Sequence, residues 1–342
     1  MKLDAGFGVE GGYLRSAGDT ARATDSLGFA GLWASETKHD AFLPLAIAAD
    51  ATQRIELGTS VAIAFSRSPM EVAQTAWDLQ DLSGGRFILG LGTQVRAHIR
   101  RRFSMPWDRP VARLREYIQA LHAIWDSFQT GSSLSFEGEF YRHTLMTPFF
   151  DPGPIEHPEI PVHIAGVNTG LATLAGEVCD GFHAHPFHSP EYLRKSVKPA
   201  IARGAQKVGR DPESVELATS VLVFTGERSE EIEKQRQKVR TLISFYASTP
   251  TYRTVLEVHG WEEAGERLGK LARDKRWDEM PGLVTDEMLG AFVVEATPDG
   301  IGPALRDRYK GLIDRVALYM PFVPGERDDF WRATIRSVHA AR

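Results

Sequence analysis

Apolar segments of strand composition alternate with segments of helical periodicity along most of this chain. The strand-like segments begin near residues 3, 31, 55, 86, 161, 181, 215 and 315, and the last of them, RVALYMPF, extends through residue 322. Strands that alternate with helices indicate parallel βαβ units, and eight such units close naturally into a barrel. We therefore predict an α/β fold, a (β/α)8 TIM barrel formed as a single domain over residues 1–342.

The structural alternative is an open, doubly wound sheet, which usually carries a phosphate-binding glycine motif directly after its first strand. That turn here reads Glu10-Gly11-Gly12-Tyr13 and does not match G-x-G-x-x-G. The barrel is favoured for this reason. Because the chemistry of a barrel lies at the carboxyl ends of its strands, the candidate site residues are sought there.

Two segments interrupt the alternation. Residues 131–160, after the fourth strand, contain a predicted hairpin around Glu137-Gly138 and then a proline-rich loop. Residues 249–296, after the seventh strand, are predicted to be mostly helical. Long insertions tend to lie near functional loops, so both are expected to form walls or a lid. Four aromatic residues in this second insertion or just before it could cover a substrate or pack inside the insertion: Phe245, Tyr246, Tyr252 and Trp261.

Composition narrows the function classes. The 342 residues include 40 Lys and Arg against 45 Asp and Glu, a net charge of −5, which argues against nucleic acid or an anionic membrane as partner. The single cysteine, Cys179, excludes an intrachain disulfide and a cysteine-based zinc site. The chain lacks a signal-peptide pattern at Met1–Asp4 and any apolar run of about 18 residues, so a cytoplasmic protein is expected.

The densest polar cluster directly after a strand is Ser35-Glu36-Thr37-Lys38-His39-Asp40. Histidine titrates near neutral pH, so His39 is the first candidate for a general acid or base, with Glu36 as its partner or replacement. In the alternative interpretation, Asp40 orients His39 and both residues only organise the loop.

The third and fourth strands end in small and polar residues. The run GTSVAIA (58–64) could let a flat ligand approach the backbone or could simply pack the barrel. Gly90 and Gly92 lie on one side of the fourth strand and are expected to leave space in the barrel mouth. Thr93 and Gln94 could hydrogen-bond a polar ring edge, and the arginines of 96–102 could bind an anionic tail or form a solvated face.

The fifth and sixth strands offer an anion site and a histidine pair. Residues 166–169 lead into a helix whose N–H groups and dipole favour phosphate, although a simple N-cap is the alternative. His183 and His185 share one face of the sixth strand and could bind a metal. The first strand has no histidine, however, and we predict no metal site and place His185 in the wall of a cofactor pocket.

The run AWDLQDLSGGRFILGLGTQ (76–94), after GTSVAIAFSRSP (58–69), resembles the luciferase-like superfamily of flavin and deazaflavin oxidoreductases. The block IPVHIAGVNTGLATLAGEVCDGF (160–182) is a second match. The stretches SETKHDAFLPLA, GLGTQVRAHIRRRF and SFYASTPTYRTVLEVHGW are most similar to the actinobacterial subgroup thought to use coenzyme F420, an 8-hydroxy-5-deazaflavin.

The resemblance implies a non-proline cis peptide at Ser60–Val61, forming a bulge behind the middle ring of the cofactor. It places Thr93, Gln94 and His98 beside the ring and ribityl chain, and residues 166–169 at the cofactor phosphate. The predicted cofactor-binding residues are thus Ser60, Val61, Ala62, Thr93, Gln94, His98, Gly166, Val167, Asn168, Thr169 and His185.

The sequence also departs from the family pattern. Family members often carry an acidic residue followed at once by a catalytic histidine, whereas here Thr37 follows Glu36 and the histidine is His39. In sugar-phosphate dehydrogenases of the family a glutamate lies where this chain has Val95.

The resemblance implies a homodimeric oxidoreductase that transfers a hydride between F420 and a small organic substrate. An FMN-dependent monooxygenase on the same scaffold is the main alternative. A metal-dependent hydrolase and a non-catalytic ligand-binding protein are the remaining ones.

Overall fold

The computed structural model describes residues 1–8, 13–226 and 229–340. Its centre is a closed barrel of parallel strands in which each strand pairs with the next and the last pairs with the first. This confirms the predicted TIM barrel. The strands are β1 (Lys2–Gly6), β2 (Gly31–Ala34), β3 (Glu56–Thr59), β4 (Phe87–Gly92), β5 (Val162–Gly166), β6 (Gly181–Ala184), β7 (Glu216–Phe224) and β8 (Arg315–Leu318).

Local sequence signals explain where the helices between these strands begin and end. Pro44 and Pro69 lie in the first turns of their helices, where a missing N–H costs nothing. Gly28 and Gly84 end two helices in left-handed conformations, with φ of 91° and 63°. The helices are α1 (Ala17–Leu27), α2 (Leu43–Ala51), α3 (Pro69–Ser83), α4 (Arg96–Arg101), α5 (Pro110–Thr130), α6 (Thr169–Val178), α7 (Lys198–Lys207), α8 (Ser229–Ala247), α9 (Arg253–Glu257), α10 (Glu262–Arg273), α11 (Asp286–Phe292), α12 (Ile301–Tyr309) and α13 (Asp328–His339).

The amino-terminal end of the barrel encloses a buried ion cluster. The fully buried guanidinium of Arg315 donates two 2.8 Å hydrogen bonds to Asp4 and one each to Glu56 and Glu216, at 2.5 and 3.2 Å. It also lies 4.9 Å from the ring centroid of Trp33. Burial would raise the pKa of the Glu56 carboxyl, but Arg315 holds that pKa below its ordinary value. Since the chemistry of a barrel lies at the opposite end, this cluster serves stability.

Both insertions have ordered structure. In the first, Phe136–Glu137 pairs antiparallel with Arg142–His143, which confirms the predicted hairpin. The second contains α9, α10 and α11 but ends in a short strand, Val293–Glu295, which pairs parallel with the outer half of β7. The prediction of a mostly helical segment is confirmed, although the short strand at its end was not predicted. The physical reason is that β7 extends beyond the barrel and leaves a free edge, with which the β-branched pair Val293-Val294 forms hydrogen bonds.

Within the described ranges, no helix combines the length and the apolar character that a membrane crossing requires.

Candidate active site

The third strand ends in a bulge at the mouth of the barrel. The Ser60–Val61 peptide bond is cis, as the resemblance implied, and the chain then pairs with β4 again at Ala62–Ile63. A Cβ atom on Gly90 would lie 1.8 Å from the Thr59 carbonyl oxygen, and one on Gly92 would lie 2.6 Å from a Val61 methyl carbon. The expectation that these glycines leave open space was therefore wrong, because the bulge occupies that space.

Glu36 and Arg67 hold the two loops around this bulge together. One Glu36 oxygen, Oε2, accepts a 2.7 Å hydrogen bond from the backbone N–H of Ile63 and another of 2.7 Å from Arg67. The second arm of Arg67 donates to Asp40 at 2.7 Å. Burial alone would lower the pKa of Arg67, but the two carboxylates raise it above its ordinary value. The structure thus engages Glu36 in supporting the bulge; catalysis by Glu36 stays a prediction.

His39 lies exposed at the rim, where its ring stacks on Tyr13 with centroids 4.9 Å apart and planes 17° from parallel. Asp40 does not orient it, because its Oδ1 accepts the backbone N–H groups of Phe42 and Leu43. Burial, assisted by the Asp40 charge, raises the pKa of Tyr13 to about 12. The Tyr13 hydroxyl is buried and has no hydrogen-bond partner in the described part of the chain. The loop of residues 9–12, which includes part of the turn considered above, lies outside the described residues.

The end of β4 presents polar and basic groups. Gln94 has a left-handed backbone with φ of 56°, and its side-chain oxygen accepts the N–H of Val95 at 2.9 Å. The Thr93 hydroxyl donates to the Gln94 carbonyl at 3.1 Å. On α4, which follows directly, His98 is exposed together with Arg96, Arg100 and Arg101. Among the described residues, the amide nitrogen of Gln94 has no hydrogen-bond partner, and it lies beside a strongly basic helix.

The loop after β5 leads into the amino terminus of α6. Asn168 occupies the N-cap position, but its side chain makes no capping hydrogen bond and instead accepts one from Thr254 at 3.3 Å. The carbonyl of Val167 accepts a hydrogen bond from Tyr192 at 2.5 Å. The first N–H groups of a ten-residue helix, from Thr169 onward, thus lack a side-chain cap, an arrangement that suits an anion.

His185, just beyond β6, joins this loop to the second insertion. Its backbone N–H donates to the carbonyl of Gly166 at 3.3 Å. Its ring centroid lies 4.9 Å from that of Tyr246 and 4.8 Å from that of Tyr252. Two of the aromatic residues noted in the sequence therefore face the mouth. Trp261, by contrast, stacks on His259 inside the insertion at 4.3 Å.

The two histidines predicted on the sixth strand lie in different environments, because His183 belongs to β6 and His185 follows it. His183 lies inside the barrel, 3.3 Å from a ring nitrogen of His163 and against the ring of Trp33. Burial lowers the pKa of His163 to about 3 and that of His183 well below its ordinary value. Among the described residues, no three or more His, Cys, Asp or Glu side chains are grouped so that they could hold a metal.

Sequence reasoning missed Arg67, Tyr13 and Tyr319 as residues of this site. Tyr319 directly follows β8 and its hydroxyl lies 3.1 Å from that of Tyr246. Its position at a strand end was an available signal, but the predicted strand ran through 322 and hid it. Arg67 gave no such signal, since its partners become clear only from the folded loops.

Comparison with known proteins agrees with this architecture. The model of the luciferase-like monooxygenase family matches residues 3–315. An uncharacterized protein of Mycobacterium tuberculosis is 48% identical over 316 residues, 92% of each chain. The F420-dependent glucose-6-phosphate dehydrogenase of Nocardia farcinica is 32% identical over 177 residues, 50% of each chain.

A solved structure shares the fold over almost the whole chain. The coenzyme F420 dependent tetrahydromethanopterin reductase of Methanopyrus kandleri superposes with a TM-score of 0.78, covering 99% of this chain and 98% of the other at 19% identity. With the family model extending over most of the chain, this protein belongs to the luciferase-like monooxygenase family.

Proposed function

We propose that this protein is an F420-dependent oxidoreductase that transfers a hydride between the deazaflavin and a small organic substrate. The observation that carries the proposal is the uncapped amino terminus of α6, which opens at the same barrel mouth as the basic helix α4, in a chain of this family. The relative from Nocardia farcinica is named as F420-dependent, which supports the choice of cofactor.

The residues at the mouth fit a planar ring that carries a phosphate and an anionic tail. Val61 offers an apolar surface, and the amide nitrogen of Gln94 offers a donor to a ring edge. The uncapped start of α6 suits the phosphate. The basic side chains of α4 suit further negative charge on the tail.

When bound, the cofactor would supply the site that accepts or donates the hydride. The chain binds and orients the reactants and handles the proton. His39 is exposed at the rim, so it can exchange a proton with solvent, and its stacking on Tyr13 fixes the plane of its ring. We assign it the role of proton donor or acceptor at the substrate oxygen.

An FMN-dependent monooxygenase is the second candidate, because the family description itself names monooxygenases. Titration of the purified protein with F420 and with FMN, followed by quenching of ring fluorescence, separates the two. We expect F420 to bind at least about tenfold more tightly; a preference for FMN would reverse the proposal.

A charge change at the amino terminus of α6 tests whether the cofactor phosphate binds there. Asn168→Asp places a negative charge at the amino terminus of α6, where it should weaken F420 binding about tenfold. The equivalent change Gln206→Glu lies exposed on α7 and should leave F420 binding unchanged. Equal F420 affinities in the two variants would contradict the assignment of the phosphate to this loop. The homodimer that the resemblance implies stays a prediction, to be tested by light scattering.

A further inference from the structure

One side of the barrel mouth is closed by an aromatic wall, formed by His185, Tyr246, Tyr252 and Tyr319, with the fully buried Phe187 packed behind it. His185 and Phe187 follow β6, Tyr319 follows β8, and the others come from α8 and the second insertion. Ring centroids lie 5.6 Å apart for Tyr246 and Tyr252 and 5.9 Å apart for Phe187 and Tyr252. The wall thus combines an apolar surface with phenolic hydroxyl groups.

The position of the proton on His185 follows from its backbone contact. Its Nδ1 accepts the backbone N–H of Phe187 at 3.1 Å, so Nδ1 carries no proton. A neutral imidazole carries one N–H, which must therefore be on Nε2. Nε2 lies 3.3 Å from the hydroxyl oxygen of Tyr252, so the histidine donates and the tyrosine oxygen accepts.

Within the described part of the chain, this arrangement leaves the O–H of Tyr252 without an acceptor. His185 is the only hydrogen-bond partner of that hydroxyl among the residues that the structure describes. Burial lowers the pKa of His185 to about 4 and raises the pKa of Tyr252, so both groups are uncharged near neutral pH. The tyrosine proton is available to an acceptor at the mouth.

A second tyrosine–histidine pair nearby is fully buried and has a purely structural role. His188 Nε2 lies 3.1 Å from the Tyr309 hydroxyl, and both side chains are buried. The other nitrogen of His188 lies 2.9 Å from the carbonyl of His185. Tyr252, unlike Tyr309, is only partly buried and lies at the mouth.

We propose that Tyr252, oriented by His185, donates a hydrogen bond to the substrate oxygen, and that the substrate is an uncharged alcohol or carbonyl compound with an apolar body. The contacts within the wall join only neutral groups, so it offers a hydrogen bond and an apolar surface but no counter-charge. The inference rests on the proposed function only in taking F420 as the cofactor that reacts with this substrate.

The test compares acetophenone with ethylbenzene, which has the same ring but no oxygen, by calorimetric titration of the protein with and without F420. Tyr252→Phe removes one hydroxyl and should weaken acetophenone binding about tenfold while leaving ethylbenzene unchanged. Tyr309→Phe is the matched control and should behave as the unsubstituted protein. Equal loss for both probes, or no loss for acetophenone, overturns the assignment of Tyr252.

The role of His185 is tested through its coupling to Tyr252. His185→Phe alone should weaken acetophenone binding, and adding Tyr252→Phe should weaken it no further, because both changes remove one shared interaction. Additive losses would show that His185 acts independently of Tyr252.

Two further outcomes separate this inference from the proposed function. Failure of F420 to bind, with acetophenone binding still dependent on Tyr252, would overturn the cofactor and leave the inference standing. Absence of acetophenone binding at millimolar concentration, or tighter binding of glucose 6-phosphate, would overturn the substrate class.

Discussion

Arg67 and Glu36 form an ion pair of 2.7 Å that joins the loop after β3 to the loop after β2. The two side chains are only 16% and 8% exposed, so each neutralises a charge that water reaches poorly. Removing one partner of such a pair costs more than the pair itself contributes, because the other charge is left uncompensated.

Glu36→Ala should therefore destabilise the fold by about 2–4 kcal/mol and weaken F420 binding, since Ile63 loses the acceptor of its N–H as well. Denaturant unfolding gives the first quantity and fluorescence titration the second. Asp19→Ala breaks an ion pair with Arg22 that is largely exposed and should cost less than about 1 kcal/mol. Similar losses in the two variants would contradict a supporting role for Glu36.

His39→Ala should slow hydride transfer about 100-fold or more, because it removes the proposed proton donor, while F420 affinity stays unchanged. The measurement is single-turnover reduction of F420 by 1-phenylethanol. His339→Ala, an exposed histidine on α13, serves as the control. An unchanged rate in His39→Ala would remove this residue from the mechanism.

Arg315→Met should destabilise the protein by about 3–5 kcal/mol, because Asp4, Glu56 and Glu216 would lose their shared cation. Arg315→Lys restores the charge but not the two-pronged contact with Asp4, so its loss should be smaller. The exposed Arg332→Met should unfold as the original protein does. Equal stability of the Arg315 variants and the control, measured by denaturant unfolding, would contradict this account.

Stability should fall as the pH drops from about 6.5 towards 4. Burial lowers the pKa of His163 to about 3 and those of His185 and His188 to about 4, whereas unfolded histidine titrates near 6.5. Within this window the unfolded chain binds protons that the folded chain does not, so the free energy of unfolding rises with pH. Each such histidine contributes about 1.4 kcal/mol per pH unit at most.

Denaturant unfolding at a series of pH values measures this slope. His188→Gln and, separately, His185→Phe should each reduce the slope by up to about 1.4 kcal/mol per pH unit, which corresponds to one proton. His339→Gln changes an exposed histidine and should leave it unaltered. A slope that neither buried substitution changes would contradict the assignment.

Arg100→Glu should weaken F420 binding and reduce its dependence on salt, because α4 would present less positive charge to the cofactor tail. Arg203→Glu makes the same change at an exposed position of α7 and should affect neither quantity. Titrations at low and high salt check both expectations. Equal behaviour of the two variants would assign the arginines of α4 to a solvated surface.

The barrel strands could be predicted from sequence because each is a short apolar run bounded by turn residues, which is a local property. Their ends were less accurate. The last strand was extended through 322, but β8 ends at Leu318, where Met320 donates back to the Leu318 carbonyl just before Pro321. A proline lacks the N–H that would continue a strand.

The contacts that define the site are long-range and left little trace in the sequence. Arg67 and Glu36 are 31 residues apart, and Tyr252 and His185 are 67 apart. The strand at Val293–Glu295 likewise depends on the outer edge of β7, which is defined only once the barrel closes. The resemblance supplied the cis bond, because it carried information from other folded chains.

The second insertion leaves the barrel after β7 and returns to the same strand, where Val293 pairs with Leu222. Because both ends of this segment are attached to β7, the residues between them can change without disturbing the barrel. The substrate-facing tyrosine of this segment can thus be exchanged as part of a cassette. Evolution or engineering could in this way alter substrate selection while the barrel and the proposed cofactor site are retained.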